Sequence, residues 1–166
     1  MNTRFQRITP FLWFDHQAEE AARFYVSIFP NSRVLATTRY ASASAAASGQ
    51  AEGSVMTVDF ELDGQSMAAL NGGPVFRFNE AVSLVVHCRT QEEIDHYWER
   101  LLEGAADQTG QCGWLKDRFG LSWQVVPEDM IRLLTGSDAA SVARVHAAIM
   151  GMTKLDLPEL RRAAAG

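Results

Sequence analysis

Two stretches of the chain repeat the same order of hydrophobic and polar positions. Residues 11–29 and 84–102 each begin with a short apolar run, pass through a polar break and continue with apolar residues at helical spacing. The acidic pair Glu19-Glu20 of the first stretch aligns with Glu92-Glu93 of the second. A short apolar run is typical of a strand, and apolar residues three and four positions apart are typical of an amphipathic helix. The pattern therefore predicts a strand, a turn and a helix, in two copies.

The segments after the two predicted helices are also alike. Apolar runs flank the pair Asp63-Gly64, which is a strong hairpin signal because glycine accepts the positive φ of a tight turn. In the second copy, a loop from Asp117 to Gly120 joins two further strands. We therefore predict an α+β fold of two tandem βαβββ modules, at about residues 5–73 and 79–127, with the third-from-last strand of the second module only weakly marked.

Two segments lie outside this repeat. Residues 41–53 are small and polar and end on glycine, which predicts a mobile loop and a candidate lid. Residues 137–152, within a C-terminal extension at 128–166, start with capping residues and carry apolar residues on one face, which predicts a helix. Pro158 is placed to start another helical turn. The apolar face of the 137–152 helix needs a partner, either the rest of this chain or a second copy of it.

Charge and composition exclude several classes of protein. The chain of 166 residues has a formal net charge of -5 and no basic run, which argues against nucleic-acid binding. Two cysteines are too few for a disulfide framework. The N-terminus lacks the apolar stretch of a signal peptide, and no run has the roughly 18 apolar residues of a membrane span. We expect a soluble cytoplasmic protein without a membrane or nucleic-acid partner.

Three segments carry a resemblance to a known family. They are "ITPFLWFDHQAEEAARFYVSIFPNS", "FELDGQSMAALNGGPVFRFNEAVSLVV" and "QCGWLKDRFGLSWQVVP". With the two βαβββ units, they make the chain resemble the PhnB-like group of the vicinal oxygen chelate (glyoxalase/bleomycin resistance/dioxygenase) superfamily, which often carries the label 3-demethylubiquinone-9 3-methyltransferase. The resemblance implies one curved mixed sheet around a cup, a small-molecule ligand and a homodimer.

The metal site of the superfamily is not expected in this chain. Metal-using members hold a divalent ion with His and Glu side chains from four strands, and the resemblance places those positions near Thr9, Met67, Ser83 and Gln124. Imidazoles and carboxylates suit such ions, whereas these four residues are not usual ligands. We therefore expect no metal and no other cofactor.

The methyltransferase label finds no support in the residues. Common S-adenosylmethionine enzymes place a glycine-rich turn between a strand and a helix. The glycine-rich turn here, Asn71-Gly72-Gly73-Pro74, follows a predicted strand but leads to another strand. Nothing else in the sequence indicates methyl transfer.

Several side chains are candidates for lining a cup. Family alignment and strand alternation select seven ligand-binding candidates: Trp13, Met67, Asn71, Trp114, Gln124, His87 and Cys112. Alternation puts Cys112, Trp114 and Lys116 on one strand face, but the sequence does not say whether that face is the one that carries Gln124. Cys112 with His87 is also conceivable as a nucleophile and base, although lone cysteines in strands are mostly core residues.

Four functions remain in competition at this point. The leading hypothesis is a metal-independent member of the superfamily that binds a small organic molecule, with catalysis undetermined. The alternatives are a metal-dependent enzyme of the glyoxalase or dioxygenase type, or the methyltransferase of the label. A non-catalytic dimeric binding protein is the fourth possibility; a dimer that buries the C-terminal helix, with a ligand site and no reactive group, would favour it.

Overall fold

The protein is described by a computed structural model that covers residues 5–105 and 110–166. The chain divides between Phe78 and Asn79 into two compact units. The first contains the first predicted module, and the second contains the other module and the C-terminal extension. Each unit is described by itself.

The first unit has the predicted order of elements with one addition. In chain order they are β1 (Phe11–Phe14), α1 (Ala18–Ile28), β2 (Arg33–Arg39), α2 (Ser42–Ser48), β3 (Val55–Leu62) and β4 (Gln65–Asn71). The strands form one sheet in the order β1-β4-β3-β2. β1 runs parallel to β4, and the other pairs are antiparallel. The predicted βαβββ order is therefore confirmed for this unit.

Of the two connections predicted in the first unit, the hairpin turn was confirmed and the loop was not. Asp63 (φ 44°) and Gly64 (φ 82°) join β3 to β4 as a two-residue hairpin turn, as predicted. The prediction of a mobile loop at residues 41–53 was wrong over α2. Alanine-rich sequence favours a helix, and the Ser44 hydroxyl accepts a hydrogen bond from the Ala41 backbone N–H at 3.0 Å in its first turn. The lid function of this segment remains a prediction.

α1 covers one face of the first sheet. The ring of Tyr25 on α1 stacks on Phe60 of β3 with centroids 6.4 Å apart, and both side chains are fully buried. Burial of a large apolar side chain stabilises the fold by about 1.5–3 kcal/mol. Since side chains alternate along a strand, the same face also carries Leu12 and Phe14 of β1, both buried. The opposite face carries Phe11 and Trp13.

The second unit contains a shorter sheet and three further helices. Its elements are β5 (Ser83–Cys88), α3 (Gln91–Leu101), β6 (Trp114–Lys116), β7 (Ser122–Pro127), α4 (Met130–Leu134), α5 (Ala139–Met150) and α6 (Leu157–Ala165). The sheet order is β5-β7-β6, with β5 parallel and β6 antiparallel to β7. No strand lies in 102–105 or 110–113, where the weakly marked strand was expected; residues 106–109 are outside the described part of the chain.

α3 covers one face of this second sheet. The Thr90 hydroxyl caps the helix by accepting a hydrogen bond from the Glu93 backbone N–H at 3.3 Å. The buried residues of α3, including Ile94, lie on the side of Trp123 and Val125 of β7, which are also buried. The other face of the sheet carries both polar and apolar side chains.

The C-terminal extension packs on its own unit. Val145 and Ile149 of α5 form a buried cluster with Val126 of β7 and with Leu155, so the apolar face of α5 has its partner within this chain. The Gln91 side chain ties the extension to α3: its amide donates to the Leu155 carbonyl at 3.2 Å and its oxygen accepts from the Leu157 backbone N–H at 2.7 Å.

The helices are too short to cross a lipid bilayer. α5 is the longest in residues 5–105 and 110–166, with 12 residues, whereas a membrane-spanning helix needs about 20. None of the helices in those two ranges is both long enough and apolar enough to span a membrane.

Candidate functional site

The sheet of the second unit has one face turned away from α3, which we call the outer face. It carries Ser83, Val85, His87, Trp114, Lys116, Ser122, Gln124 and Val126, because residues paired across neighbouring strands point to the same side. Trp114 is paired directly with Gln124, so the two share this face. The sequence did not determine whether Trp114 lies on the same face as Gln124. The pairing shows that it does, and that Lys116 lies on this face too.

A polar cluster lies at one end of the outer face. Ser83, Ser122 and Lys116 are side by side in one row across the three strands. The Gln124 amide nitrogen donates a hydrogen bond to the Ser83 hydroxyl at 2.8 Å. Ser122 is 1% exposed, and its hydroxyl has no hydrogen-bond partner in the protein. A buried hydroxyl without a partner is unusual and calls for an explanation.

Lys116 is held by a carboxylate from outside the sheet. Its ammonium group forms an ion pair with Glu80, which precedes β5. The Lys116 side chain is 31% exposed and that of Glu80 is 64% exposed. The hydrogen bond from Lys116 lowers the pKa of the Glu80 carboxyl below its usual range. Nothing local in the sequence marks Glu80 as a partner of Lys116, so Glu80 was not among the predicted site residues.

The two remaining candidates of this unit lie apart from the polar cluster. His87 is exposed, in the row with Val126, and that row leads to the C-terminal extension. Cys112 was expected within a strand, but it precedes β6 in a left-handed conformation (φ 59°). Its sulfur lies 3.6 Å from the Ile149 carbonyl oxygen and 3.9 Å from the Met150 sulfur. Cys112 is therefore directed at α5, and we leave it out of the site.

The hairpin between β6 and β7 is built on Asp117. This carboxylate is 1% exposed and accepts hydrogen bonds from the backbone N–H groups of Phe119 at 2.9 Å and Leu121 at 3.1 Å. It also accepts one from the Trp123 indole N–H at 2.8 Å. An aspartate that opens a turn is a typical signal for such side-chain-to-backbone bonds. Asp117 thus orders the strands that carry Trp114 and Gln124, and it does not face the cluster.

Trp13 is the candidate of the first unit that remains accessible. It lies half-buried on the sheet face away from α1. Its indole N–H donates to the Gly73 carbonyl at 2.9 Å, and Phe76 meets the ring edge-on at a centroid distance of 4.9 Å. A Cβ atom at Gly72 would lie 2.1 Å from the indole, so only glycine leaves room for this ring. Trp13 is fixed, with an aromatic neighbour that is 61% exposed.

Met67 and Asn71 are placed on the α1 side of their sheet and are occupied there. Met67 is 3% exposed and is paired with the core residue Phe60. The Asn71 side-chain oxygen accepts from the Ala18 backbone N–H at 2.8 Å, at the start of α1, and its amide donates to the Val55 carbonyl at 3.1 Å. Both side chains act in the core of the first unit, and we leave them out of the proposed ligand site.

The side chains at the four family metal positions do not fit a divalent ion. Thr9 is exposed, Met67 is a core thioether, and the Gln124 amide is engaged with the Ser83 hydroxyl. Divalent ions of this class prefer imidazole and carboxylate ligands. Within residues 5–105 and 110–166, no group of three or more His, Cys, Asp or Glu side chains is placed to hold a metal. We derive no step through a metal.

The second unit also contains an arginine-lined groove of about 720 Å³. Arg89, Arg132 and Arg161 contribute to its wall, together with Glu128 and Asp129. Arg89 pairs with Glu128 at 2.9 Å, and Arg132 pairs with Asp129. The groove is formed by the end of β5 and the extension, and none of its lining residues belongs to the polar cluster of the outer face.

Comparison with known proteins identifies the family. Residues 6–126 match the family model described as 3-demethylubiquinone-9 3-methyltransferase. A solved structure of a putative 3-demethylubiquinone-9 3-methyltransferase, a PhnB protein from Bacillus cereus, is 35% identical, with a TM-score of 0.63, over 74% of this chain and 99% of that one. No curated protein shows significant sequence similarity.

More distant structures show the same fold. A protein from Pseudomonas aeruginosa is 17% identical, with a TM-score of 0.55, over 75% of this chain and 98% of its own. The fosfomycin resistance protein FosX from Listeria monocytogenes, solved with Mn(II) and sulfate, is 13% identical, with a TM-score of 0.52, over 79% of this chain and 96% of its own. The expected superfamily fold is confirmed, and the chain belongs to the 3-demethylubiquinone-9 3-methyltransferase family.

Proposed function

We propose that this member of the 3-demethylubiquinone-9 3-methyltransferase family binds a small, partly apolar organic molecule on the outer face of its second sheet. Gln124 and Trp114 are the contacts. The observation that carries the proposal is their direct pairing on the face away from α3, with the amide held by Ser83. The flat apolar ring of Trp114, beside the oriented amide of Gln124, suits a ligand with an apolar body and a polar group.

The proposal assigns binding and no catalytic step. A glyoxalase-type reaction relies on a metal that the available side chains do not suit. Methyl transfer from S-adenosylmethionine of the common kind uses a strand, a glycine turn and a helix, whereas Gly72 and Gly73 lead from β4 to β5 without a helix between them. The chain therefore belongs to the family without having the methyl-transfer motif of common S-adenosylmethionine enzymes.

Ligand screening by NMR on 15N-labelled protein tests the proposal. A set of small aromatic and aliphatic compounds is added, and shifts are followed at the Gln124 side-chain amide and the Trp114 indole. We expect both signals to move together and Trp114→Ala to weaken binding about tenfold, since stripping an aromatic contact from a ligand costs about 1–2 kcal/mol.

A matched variant separates a local effect from a general one. Gln124→Ala is expected to weaken the same ligand, whereas Gln65→Ala, an exposed glutamine of β4, leaves the affinity unchanged. Ligands that shift other signals while Gln124 and Trp114 stay still contradict the proposal.

The homodimer stays a prediction that rests on the family habit. The apolar face of α5 suggested a second copy as its partner. Its residues Val145 and Ile149 pack instead against other residues of this chain. Light scattering gives the mass directly: about twice the 18.4 kDa of the chain supports the dimer, and a single chain mass contradicts it.

A further inference from the structure

We infer that the ligand of the outer face carries an anionic group, which replaces Glu80 on Lys116 and accepts a hydrogen bond from Ser122. This inference rests on the proposed function and adds the chemical class of the ligand. It makes Glu80 an internal competitor, a carboxylate of the protein that occupies the place of the ligand's own anion.

The polar cluster has more donors to offer than acceptors. Ser122 has a buried hydroxyl without a partner in the protein. The Ser83 hydroxyl receives the hydrogen bond from Gln124, so its own O–H remains to donate. The Lys116 ammonium has three N–H donors, and the Glu80 carboxylate is paired with it. A carboxylate or phosphate, which only accepts, is the group that satisfies two hydroxyls and one ammonium together.

The geometry of the row supports a single shared partner. Ser122 lies on the central strand β7, directly between Ser83 on one side and Lys116 on the other. Residues paired across neighbouring strands have Cβ atoms about 4.5–5.5 Å apart. The three side chains therefore lie close enough together for one group the size of a carboxylate to contact all of them.

Glu80 already shows which chemistry Lys116 accepts. It lies before β5, outside the sheet, and its side chain is 64% exposed. Exposed ion pairs of this kind are weak, because water and salt screen them and two side chains must be held in place. An incoming anion that also satisfies Ser122 gains contacts that Glu80 does not make in the protein, and so it displaces the internal carboxylate at small cost.

A matched pair of probes tests the anionic class. Benzoate and benzamide have the same shape and differ in charge, and both offer an aromatic ring to Trp114. Their dissociation constants are measured by NMR titration of the intact 15N-labelled protein, following the Gln124 amide. We expect benzoate to bind at this site and benzamide to bind at least tenfold more weakly.

Variants then locate the effect. Glu80→Gln removes the competitor and is expected to tighten benzoate binding about two- to fivefold, the size of an exposed ion pair. Glu103→Gln, which breaks the exposed pair with Arg100, is the matched control and leaves the affinity unchanged.

Two further variants test the residues that contact the anion. Lys116→Met and Ser122→Ala are each expected to weaken benzoate binding about fivefold or more. Arg161→Ala, in the arginine-lined groove, has no effect if the anion binds on the outer face.

The outcomes separate this inference from the proposed function. If benzamide binds as tightly as benzoate while Gln124 still shifts, the anionic class is wrong and binding at Gln124 stands. If Glu80→Gln leaves benzoate binding unchanged, the anion does not replace Glu80 and the inference is overturned, while binding at Gln124 again stands. If benzoate loses affinity only in Arg161→Ala, the anion site is the groove and the inference is overturned. If neither probe nor any screened compound shifts Gln124, both fall.

Discussion

The carboxylate of Asp117 accepts a hydrogen bond from the indole N–H of Trp123 at 2.8 Å, and both side chains are buried. This bond joins the two ends of the hairpin between β6 and β7. Trp123 faces α3, whereas its neighbour Gln124 faces the polar cluster. The register of β6 on β7 therefore puts Trp123 in the core and Gln124 on the outer face beside Trp114.

Asp117→Ala is expected to destabilise the protein by about 3 kcal/mol. The substitution removes the acceptor from the Trp123 indole and from the backbone N–H groups of Phe119 and Leu121, and leaves buried donors unpaired. Urea unfolding measures the change in the free energy of unfolding. Asp59→Ala, at an exposed position of β3, is the control and is expected to stay within about 0.5 kcal/mol. Equal effects from both variants would contradict the role given to Asp117.

Asn71→Ala is expected to lower stability by about 2 kcal/mol and to leave ligand affinity unchanged. Its side chain caps the start of α1 at Ala18 and also donates to the Val55 carbonyl, so both groups lose a partner. Thermal unfolding and the ligand titration are run on the same variant. Asn79→Ala, which removes a local bond in an exposed turn, is the control for stability. A stable Asn71→Ala protein that no longer binds ligand would restore Asn71 to the site.

Cys88 is expected to make the protein less stable in alkali. Burial, and then the nearby Glu93 carboxylate, raises the pKa of its thiol to about 12, against an ordinary value of 9.0. The native state keeps the proton that the unfolded chain releases. The contribution is therefore fully present below pH 9.0 and is lost as the pH rises towards about 12.

The measurement for Cys88 is the free energy of unfolding of wild type and Cys88→Ala from neutral to alkaline pH. The difference between the two isolates the thiol from lysines and tyrosines that titrate in the same range, and it is expected to shrink as the pH rises. A constant difference would show that Cys88 titrates normally in the native protein.

Gly113→Ala is expected to cost about 3 kcal/mol, and Gly120→Ala about 1 kcal/mol. Both glycines have a left-handed φ, 84° and 86°, so both substitutions carry the same backbone strain. They differ in space: a Cβ at Gly113 would lie 2.7 Å from the Val125 carbonyl oxygen and 3.1 Å from Leu155, whereas nothing lies within 4 Å at Gly120. Urea unfolding of the two variants measures the cost of this close approach to Val125 and Leu155. Equal losses would show that the backbone of Gly113 is not held this close to them.

Local signals in the chain determined the elements of this protein. The spacing of Phe24 and Ile28, the acidic first turns of α1 and α3 and the pair Asp63-Gly64 each act within a few residues, and each predicted the structure observed at that place. The repeat of these signals along the chain predicted two βαβββ modules, and the resemblance of three segments to the PhnB-like group predicted the superfamily fold. The α2 helix was predicted as a loop because a run of Ala and Ser is compatible with either a loop or a helix.

Tertiary structure decided which side chains belong to the candidate site. A shift of one residue along a strand moves a side chain to the other face, so an alignment accurate to a residue or two does not determine the face of Met67, which lies on the α1 side of its sheet. The partners of Asn71, Gln124 and Lys116 come from distant segments, and no local pattern reveals them. Hydrophobic periodicity determines the elements because it is local, whereas a site depends on register and long-range contacts that only the folded chain brings together.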